Sequence, residues 1–318
     1  MTTLRDIGEN GLLRGILPRL PQRPDVVVGP GDDCAVVRAP GSRSDWLFTT
    51  DPVIERRHFL PETPARLVGR KAIARAVSDI AAMGGTPLWI LVDLVAPAAT
   101  PLARIRGLYD GMIAAAKKWG LAILGGDTAE GDVLELHVAG VGRIPRGAAV
   151  LRSGARPGDL VYVTGALGGA YLPGCRHHLL FEPRLEAGRF LAEREFATAM
   201  MDLSDGLAAD LPRLLDASKR GVRLEAAAIP LSRAARKTQQ PLRHALCDGE
   251  DFELLFTLSP AKRAIFEVIW ATRFPRLPAT CIGEILASPR QRLLHLPDGS
   301  TAPFRPGGYQ HFLAHKGP

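Results

Sequence analysis

Six short acidic segments hold the residues of this sequence that are best suited to chemistry. They are GDDCA, TTD, SDIAAMGG, GGDT, DLSDG and DGED, and their carboxylates lie between Asp32 and Asp251. Most neighbouring residues are Gly, Ser, Thr or Ala, so these carboxylates lie at turns where oxygen ligands can converge. Carboxylate and hydroxyl oxygens are the ligands that Mg²⁺ prefers. The segments therefore predict a folded site that holds several metal ions and a polyphosphate.

Two of these segments follow predicted strands. Thr49, Thr50 and Asp51 place two hydroxyls and a carboxylate at a strand end, where the ligands of open sheets usually gather. Asp127 follows a short apolar strand and two glycines, a layout that lets a ligand approach the backbone closely. We expect both segments to contribute to the predicted site.

Other segments also have simpler interpretations. Asp32 and Asp33 would repel a bare pyrophosphate and so favour a metal-bridged one, but they could also form an ordinary Asp-rich turn. Ser204 or Asp205 could be the N-cap of the helix that follows. Asp79 lies near the C-terminal end of a predicted helix, where the helix dipole disfavours a carboxylate that no cation compensates. A solvated aspartate is nevertheless common in a last turn.

The elements that position these residues alternate between helix and strand. Apolar residues recur at helical spacing over residues 65–83, 102–119 and 206–218. Strands are predicted at 46–50, 89–95 (a buried strand), 121–124, 134–141, 160–164, 251–258 and 281–285. The segment 145–157 is rich in Gly, Pro and Arg, which favours a domain boundary there. The sequence thus predicts an α/β (α+β) protein with two domains, residues 1–146 and 147–318.

Composition and charge narrow the function classes. The chain has 318 residues, 46% of them hydrophobic and 23% charged, which is typical of a globular protein. The net charge of +7 comes mostly from scattered arginines, and no basic run interleaves with aromatic residues, so we expect no nucleic-acid partner. No apolar run has the length of a membrane span. The absence of a signal-peptide pattern and four widely separated cysteines favour a cytoplasmic protein.

Several common catalytic motifs are absent from the sequence. There is no GxxxxGK[ST] loop, no protein-kinase HRD or DFG element, no HExxH zinc motif and no GxSxG nucleophile elbow. If the protein transfers phosphoryl groups, the metal cluster must therefore be built from scattered carboxylates.

Eight sequence motifs, in this order, resemble the thiamine-monophosphate kinase family of the aminoimidazole-ribonucleotide-synthetase-like (PurM-like) ATP-binding superfamily. They are GPGDDCAVV at 29–37, TTD at 49–51, GRKAIARAVSDIAAMGGTP at 69–87, GGDT at 125–128, RSGARPGDLVYVTG at 152–165, MDLSDGLAADL at 201–211, GEDFELLFT at 249–257 and GYQHF at 308–312. The resemblance covers nearly the whole chain.

The resemblance implies a fold and an activity. The expected fold is a two-domain PurM-like architecture, with an N-terminal mixed-sheet domain that binds ATP and Mg²⁺ and dimerises, followed by a C-terminal α/β domain that completes the site. The expected reaction is the phosphorylation of thiamine phosphate to thiamine diphosphate by ATP, through direct in-line transfer assisted by Mg²⁺. The implied partners are thiamine phosphate, ATP and a second copy of the chain.

The resemblance also implies roles for individual residues. The implied metal ligands are Asp33, Thr49, Thr50, Asp51, Asp79, Asp127, Asp202 and Asp205. Among them, Asp51, Asp79, Asp127 and Asp202 would form the catalytic centre. The implied nucleotide contacts are Gly126, Asp127, Arg152 and Ser204, and the implied acceptor contacts are His58, Glu250 and Tyr309. A carboxylate and an aromatic ring suit a cationic thiazolium and its aminopyrimidine.

The sequence departs from the family pattern on the acceptor side. Asp248 adds a charge next to Gly249 and Glu250, and Arg56 and Arg57 precede the histidine where the family has small residues. Two alternatives therefore stay open at the sequence level. The protein could be another small-molecule kinase or synthetase of the superfamily, or a nucleotide-binding relative without turnover.

Overall fold

The computed structural model describes residues 2–309 and 311–312 of the chain. Gln310, inside the GYQHF motif, and residues 313–318, at the end of the second predicted domain, lie outside the described residues.

Helices and strands alternate over the described part of the chain. The helices are Leu4–Ile16 (α1), Ala65–Ala82 (α2), Leu102–Trp119 (α3), His177–Leu180 (α4), Leu185–Glu193 (α5), Leu207–Ser218 (α6), Pro241–Cys247 (α7) and Arg263–Arg273 (α8). The strands are Val26–Val28 (β1), Ala35–Val37 (β2), Ser44–Ile54 (β3), Thr86–Ala96 (β4), Ala122–Gly125 (β5), Thr128–Glu130 (β6), Glu135–Pro145 (β7), Leu160–Thr164 (β8), Ala197–Asp202 (β9), Gly221–Glu225 (β10), Leu254–Leu258 (β11), Ala279–Leu286 (β12), Arg292–His295 (β13) and Thr301–Pro303 (β14).

The first sheet contains β1 to β7 in the order β1-β2-β3-β7-β4-β5, with β6 also paired to β4. The long strands β3, β7 and β4 pair antiparallel, whereas β4 runs parallel to β5 and β6, so the sheet is mixed as expected. Helices α2 and α3 cover one face, where Val68 and Met112 belong to the same buried core as Ile90. The two helices approach closely because a Cβ on Gly69 or Gly111 would lie 2.0 Å from a carbonyl oxygen of the other helix.

The opposite face of this sheet is only partly covered, and this corrects one prediction. The strand predicted at 89–95 is not buried on both faces, because Trp89 is 38% exposed and Leu91 is 45% exposed. Ile90 and Val92, which point the other way, are buried under the helices. An apolar run on both faces is typical of a strand between two layers. Here the outward apolar residues have no covering layer within the described residues.

The second sheet contains β8 to β14 in the order β14-β13-β10-β12-β8-β11-β9. Among the described residues of this second sheet, β10 and β13 form the one parallel pair, and the other strand pairs are antiparallel. The strand predicted at 251–258 begins three residues later, at Leu254, because Glu250 and Phe252 have positive φ angles of 70° and 51°. Such angles lie outside the β region, so the chain turns there before it enters the sheet.

Helix α2 connects the two halves of the structure. One face packs on the first sheet, and the other contacts β9, α4 and α5 of the second half. The sheets span residues 26–145 and 160–303, with the Gly- and Arg-rich segment between them. The division at residues 146 and 147 stays a prediction within that segment. No helix of the described residues combines the length and the apolar character needed to cross a bilayer.

Candidate active site

Helix α2 presents a row of charged residues to the second half of the structure. Lys71, Arg75 and Asp79 follow one another at intervals of four, so they lie on one face of the helix. Most of the other residues of this helix are buried and apolar, and Lys71 itself is fully buried. Buried charges persist only where partners compensate them, so the row indicates a polar site between the two sheets.

Three predicted metal ligands converge at the end of this row. Asp33 from the turn after β1, Asp79 from α2 and Asp202 from the end of β9 each offer an oxygen atom, and these oxygens lie within 4.8 Å of one another. Thr49 Oγ1 donates to Asp79, and Ser78 Oγ donates to Asp202 Oδ2 at 2.5 Å. The sequence prediction that these separate segments share one site is consistent with this geometry.

Charge is poorly balanced within this carboxylate cluster. Arg152 forms a two-point ion pair with Asp33, through Nη2 at 2.8 Å and Nε at 3.2 Å. Burial raises the pKa of both Asp79 and Asp202 well above the usual range, and the neighbouring carboxylates raise both further. Three crowded carboxylates with one arginine and two hydroxyl donors suit a divalent cation with hard oxygen ligands. The residues present therefore fit Mg²⁺.

Asp51 has a different partner from the carboxylate cluster. Arg75 donates from Nε to Asp51 Oδ2 at 2.9 Å and from Nη2 to Oδ1 at 2.7 Å. The same guanidinium donates from Nη1 to Glu250 Oε1 at 2.5 Å, and Lys71 Nζ lies 2.6 Å from Glu250 Oε2. Burial alone would raise the pKa of Glu250, but Lys71 and Arg75 together hold it below its ordinary value.

The three predicted acceptor residues line one cavity of about 460 Å³. His58, Glu250 and Tyr309 share this cavity with Tyr171, which sequence reasoning did not single out. Two exposed arginines of the cavity, Arg57 and Arg243, form no ion pair with any described residue. Glu250 and Asp205 are each paired with a cation, so the two unpaired arginines favour an anionic group in this cavity.

A second and larger cavity of about 1410 Å³ meets the first. Its lining includes Thr50 and Asp51. The residues that line both cavities are Arg57, Arg75, Ser204, Asp205, Tyr309 and His311. Asp205 is paired with Arg213 at 2.7 Å, and the same Nη1 atom lies 2.6 Å from the fully buried Asp210. These cavities form one connected space from the acceptor residues to Asp51.

The structure places two predicted ligands away from the carboxylate cluster. Thr50 points to the opposite face of the sheet from Thr49 and Asp51, because side chains alternate along a strand. Asp127 is exposed, and its backbone N–H donates to Asp93 Oδ1 at 3.0 Å. The segment that contains Asp127 is hydrogen-bonded to β4, and β7 lies between β4 and the strand β3 that carries Asp51. At the usual spacing between strands, three steps place Asp127 roughly 14 Å from Asp51.

Gly126, the predicted nucleotide contact beside Asp127, is held tightly against the sheet. Its φ angle is 153°, and a Cβ there would lie 1.8 Å from the carbonyl oxygen of Val92. The backbone therefore needs glycine at this position. Gly126 shares the placement of Asp127 and does not reach the carboxylate cluster within the described chain.

The departures from the family pattern have local partners. Asp248 Oδ2 accepts the Gly169 N–H at 2.8 Å and pairs with His244 Nδ1 at 2.9 Å. The carboxylate thus fixes a glycine turn at the rim of the acceptor cavity. Arg56 is largely exposed and lies 3.9 Å from Glu55, whereas Arg57 lines the cavity.

Sequence reasoning missed the cationic half of the site. Lys71, Arg75 and Arg213 each bind a site carboxylate, yet none was singled out from the sequence. A signal was available for two of them, because Lys71 and Arg75 interrupt a mostly apolar helix about two turns and one turn before Asp79, respectively. No comparable pattern marks Arg213, whose role depends on how α6 meets the loop that precedes it.

His58 makes the stability of the protein sensitive to acid. Its Nδ1 accepts the Ile54 N–H at 2.9 Å, and burial, followed by repulsion from Arg75, lowers the pKa of His58 to about 3. Below pH 6.5 the unfolded chain binds a proton on this residue that the folded protein does not, so stability falls as the pH falls. We expect His58→Asn, which keeps an acceptor near Nδ1, to reduce the loss between pH 6.5 and 4.5 by roughly 2 kcal/mol.

Denaturant titrations of both proteins at several pH values measure this effect. Parallel stability curves for the wild type and the variant would show that His58 does not titrate in this way.

Comparison with known proteins relates most of the chain to one protein family. Residues 31–144 match the AIR synthase related protein, N-terminal domain, and residues 156–295 match the C-terminal domain of the same family. The thiamine-monophosphate kinase of Rhodopirellula baltica is 38% identical over 87% of this chain and 89% of its own length. The corresponding protein of Escherichia coli (strain K12) is 34% identical over 96% of this chain and 98% of its own length.

Solved structures show the same relationship. The structure described as AaThiL complexed with AMPPCP and TMP is 30% identical, covers 98% of this chain and 99% of that chain, and has a TM-score of 0.81. The thiamine-monophosphate kinase of Stenotrophomonas maltophilia K279a is 32% identical, covers 92% of this chain and 96% of that chain, and has a TM-score of 0.72. The chain therefore belongs to the AIR synthase related family and, within it, to the thiamine-monophosphate kinases.

Proposed function

We propose that this protein transfers the γ-phosphoryl group of ATP to thiamine phosphate, which yields thiamine diphosphate and ADP. One observation carries the proposal: the cavity that contains His58, Glu250 and Tyr309 opens into the cavity that contains Asp51. An acceptor phosphate and a nucleotide can therefore meet in one space. The AMPPCP and TMP of the similar solved structure, taken as an ATP analogue and thiamine monophosphate, support the same pair of substrates.

The proposed reaction is an in-line displacement. An oxygen of the acceptor phosphate attacks the γ-phosphorus of ATP, the bond from that phosphorus to the β–γ bridging oxygen breaks, and the electron pair leaves with ADP. The acceptor oxygen is already anionic at neutral pH, so the site needs no general base. Catalysis then depends on positioning and on charge stabilisation.

We assign the metal-binding role to the carboxylate cluster Asp33, Asp79 and Asp202, with Thr49 bonded to Asp79 and with Asp51 and Asp205 in the larger cavity. Magnesium bound there supplies charge neutralisation to the polyphosphate. Arg152 binds the cluster through Asp33, and Ser204 lines the larger cavity together with Asp51. Both suit contacts with nucleotide phosphates, since the guanidinium fork can hold two phosphate oxygens.

We assign acceptor recognition to the smaller cavity. The rings of Tyr309 and Tyr171 suit stacking against a cationic thiazolium and an aminopyrimidine. Arg57 and Arg243 provide a positive field for the acceptor phosphate. The cysteines of the described chain are all free, which favours action in the reducing cytoplasm.

A direct assay tests the proposed function. Purified protein is incubated with MgATP and thiamine phosphate, and chromatography follows thiamine diphosphate and ADP in equal amounts. Chelation of the metal by EDTA should stop both products. Tight ATP binding without any thiamine diphosphate would instead favour a relative without turnover, and ADP formation only with a different acceptor would favour another kinase of the superfamily.

We propose that the protein forms a homodimer through the outer face of the first sheet. Phe48, Trp89, Leu91 and Leu124 are each between 38% and 60% exposed there, and Trp46 stacks on Trp89 with ring centroids 5.5 Å apart. An apolar patch of this kind is typical of a protein interface. Asp127 and Gly126 lie toward the β5 edge of this sheet, so in such a dimer they could contribute to the site of the second copy.

Leu91→Glu is expected to convert this dimer into a monomer, because it buries a charge at the centre of the apolar patch. Sedimentation velocity or light scattering measures the mass at micromolar concentration. Val268→Glu is the matched control, since Val268 is 69% exposed on α8, away from this sheet. A wild-type protein that is already a monomer, or an unchanged dimer in the Leu91 variant, would contradict the proposed interface.

A further inference from the structure

Arg75 lies where the two cavities of the site meet. It lines the acceptor cavity together with His58 and Glu250, and it lines the larger cavity together with Asp51. Its side chain is 12% exposed, so the guanidinium reaches the space between the cavities. In the proposed reaction, this junction is where the acceptor phosphate receives the phosphoryl group.

The bonds of Arg75 fix its guanidinium and leave donors free. The two bonds to Asp51 and the one to Glu250 use three of the five N–H groups of an arginine. Within the described residues, the remaining two N–H groups have no acceptor. The arginine is also anchored from one side by the ring of Phe252, whose centroid lies 5.5 Å from Cζ. A rigid guanidinium with two unused donors is well suited to bind two oxygens of one phosphate.

The neighbouring charges favour an anion at this position. Lys71 and Arg75 together carry two positive charges, and Asp51 and Glu250 balance them. The unpaired Arg57 of the same cavity adds a further positive charge. A cationic ring at the junction would face guanidinium groups, whereas a phosphate would complete their hydrogen bonds.

We propose that Arg75 binds the phosphate group of the acceptor through its two unused N–H groups, while Asp51 and Glu250 hold it in place. The inference rests on the proposed function, because it assigns one residue to one group of the proposed substrate. It also gives Glu250 a positioning role, since this carboxylate is already bound by Lys71 and Arg75.

The test compares two ligands that differ only in the phosphate. Isothermal titration calorimetry measures the affinity of the wild type and of Arg75→Met for thiamine phosphate and for thiamine. We expect the variant to bind thiamine phosphate roughly 30- to 100-fold more weakly, and thiamine within about threefold of the wild type. An equal loss for both ligands would overturn the inference, because it would mean that Arg75 only supports the shape of the cavity.

Two further variants keep the test decisive. Arg75→Lys retains the charge without the fork, and we expect it to recover part of the lost affinity for thiamine phosphate only. This variant carries the test if Arg75→Met does not fold. Arg38→Met is the matched control, because Arg38 forms an equivalent two-point ion pair with the buried Asp45 on β3, outside both cavities.

We expect the Arg38 variant to keep both affinities. A wild type that binds thiamine phosphate no better than thiamine would overturn the inference at once. Binding without turnover would instead count against the proposed reaction and leave the Arg75 comparison valid.

Discussion

Replacing Asp79 with asparagine is expected to abolish turnover and, in the absence of metal, to stabilise the protein. Turnover should fall by a factor of at least roughly 1,000, since a ligand of the proposed metal centre loses its charge. Stability should rise by about 1–2 kcal/mol at pH 8, because the folded state no longer holds a carboxylate that burial and Asp202 disfavour in its charged form.

The pH dependence gives this prediction a second measurement. The raised pKa of Asp79 means that the folded protein binds a proton that the unfolded chain releases, so the stability of the wild type falls as the pH rises above the ordinary aspartate range. The stabilisation in the variant should therefore be larger at pH 8 than at pH 5. Thermal unfolding in EDTA at both values measures it, and added Mg²⁺ should raise the melting temperature of the wild type more than that of the variant.

Asp45→Asn provides the matched control for this change. Asp45 is also buried, but Arg38 pairs with both of its oxygens and lowers its pKa. The same change of carboxylate to amide should destabilise the protein here and leave turnover intact. An Asp79 variant that is less stable than the wild type in EDTA at pH 8 would contradict the proposed repulsion.

Glu250→Gln is expected to have the opposite effect on stability. The variant leaves the buried Lys71 without its counterion and removes one partner of Arg75, so we expect a loss of about 3 kcal/mol in the free energy of unfolding. The acceptor affinity should fall as well, because Arg75 loses its anchor. Denaturant titration measures the first effect, and calorimetry with thiamine phosphate measures the second.

A double variant separates the lost ion pair from other causes. Adding Lys71→Met to Glu250→Gln removes the unpaired ammonium, so the double variant should recover roughly 1–2 kcal/mol. Glu182→Gln is the control, because Glu182 also binds two cations, Arg70 and Lys118, but is 43% exposed. Solvent screens the ion pairs of Glu182, so their loss should lower the free energy of unfolding by less than about 1 kcal/mol. If the stability lost in the double variant equalled the sum of the losses in Glu250→Gln alone and Lys71→Met alone, the proposed buried ion pair would be contradicted.

The fold was predictable where periodicity was regular. Helix α3 has the bounds that its apolar spacing indicates, and Gly120 ends it with a left-handed φ of 71°. Strand β9 was missed, although it carries Asp202, because its six residues have no alternation or flanking turn that marks a strand. The start of β11 was placed too early, since the positive φ angles of Glu250 and Phe252 leave no mark in residue type.

The acidic residues of the site could be predicted from residue type, whereas the partners that they meet in the folded protein could be predicted only in part. Acidic residues among small neighbours indicated Asp33, Asp79 and Asp202, and the structure brings these three together. The partner of Glu250 was not predictable, because Arg75 lies 175 residues away and meets it only through the packing of the two halves. The metal and substrate roles of the individual residues stay predictions that the experiments above test.

The position of α2 between the two sheets bears on how the molecule melts. Arg75 on this helix binds Asp51 of the first half and Glu250 of the second, and Ser78 binds Asp202. Detaching the second half would leave these charged and polar groups without partners and uncover a helix that is buried along most of its length. Partial unfolding is therefore costly, and the two halves should unfold as one cooperative unit despite their separate sheets.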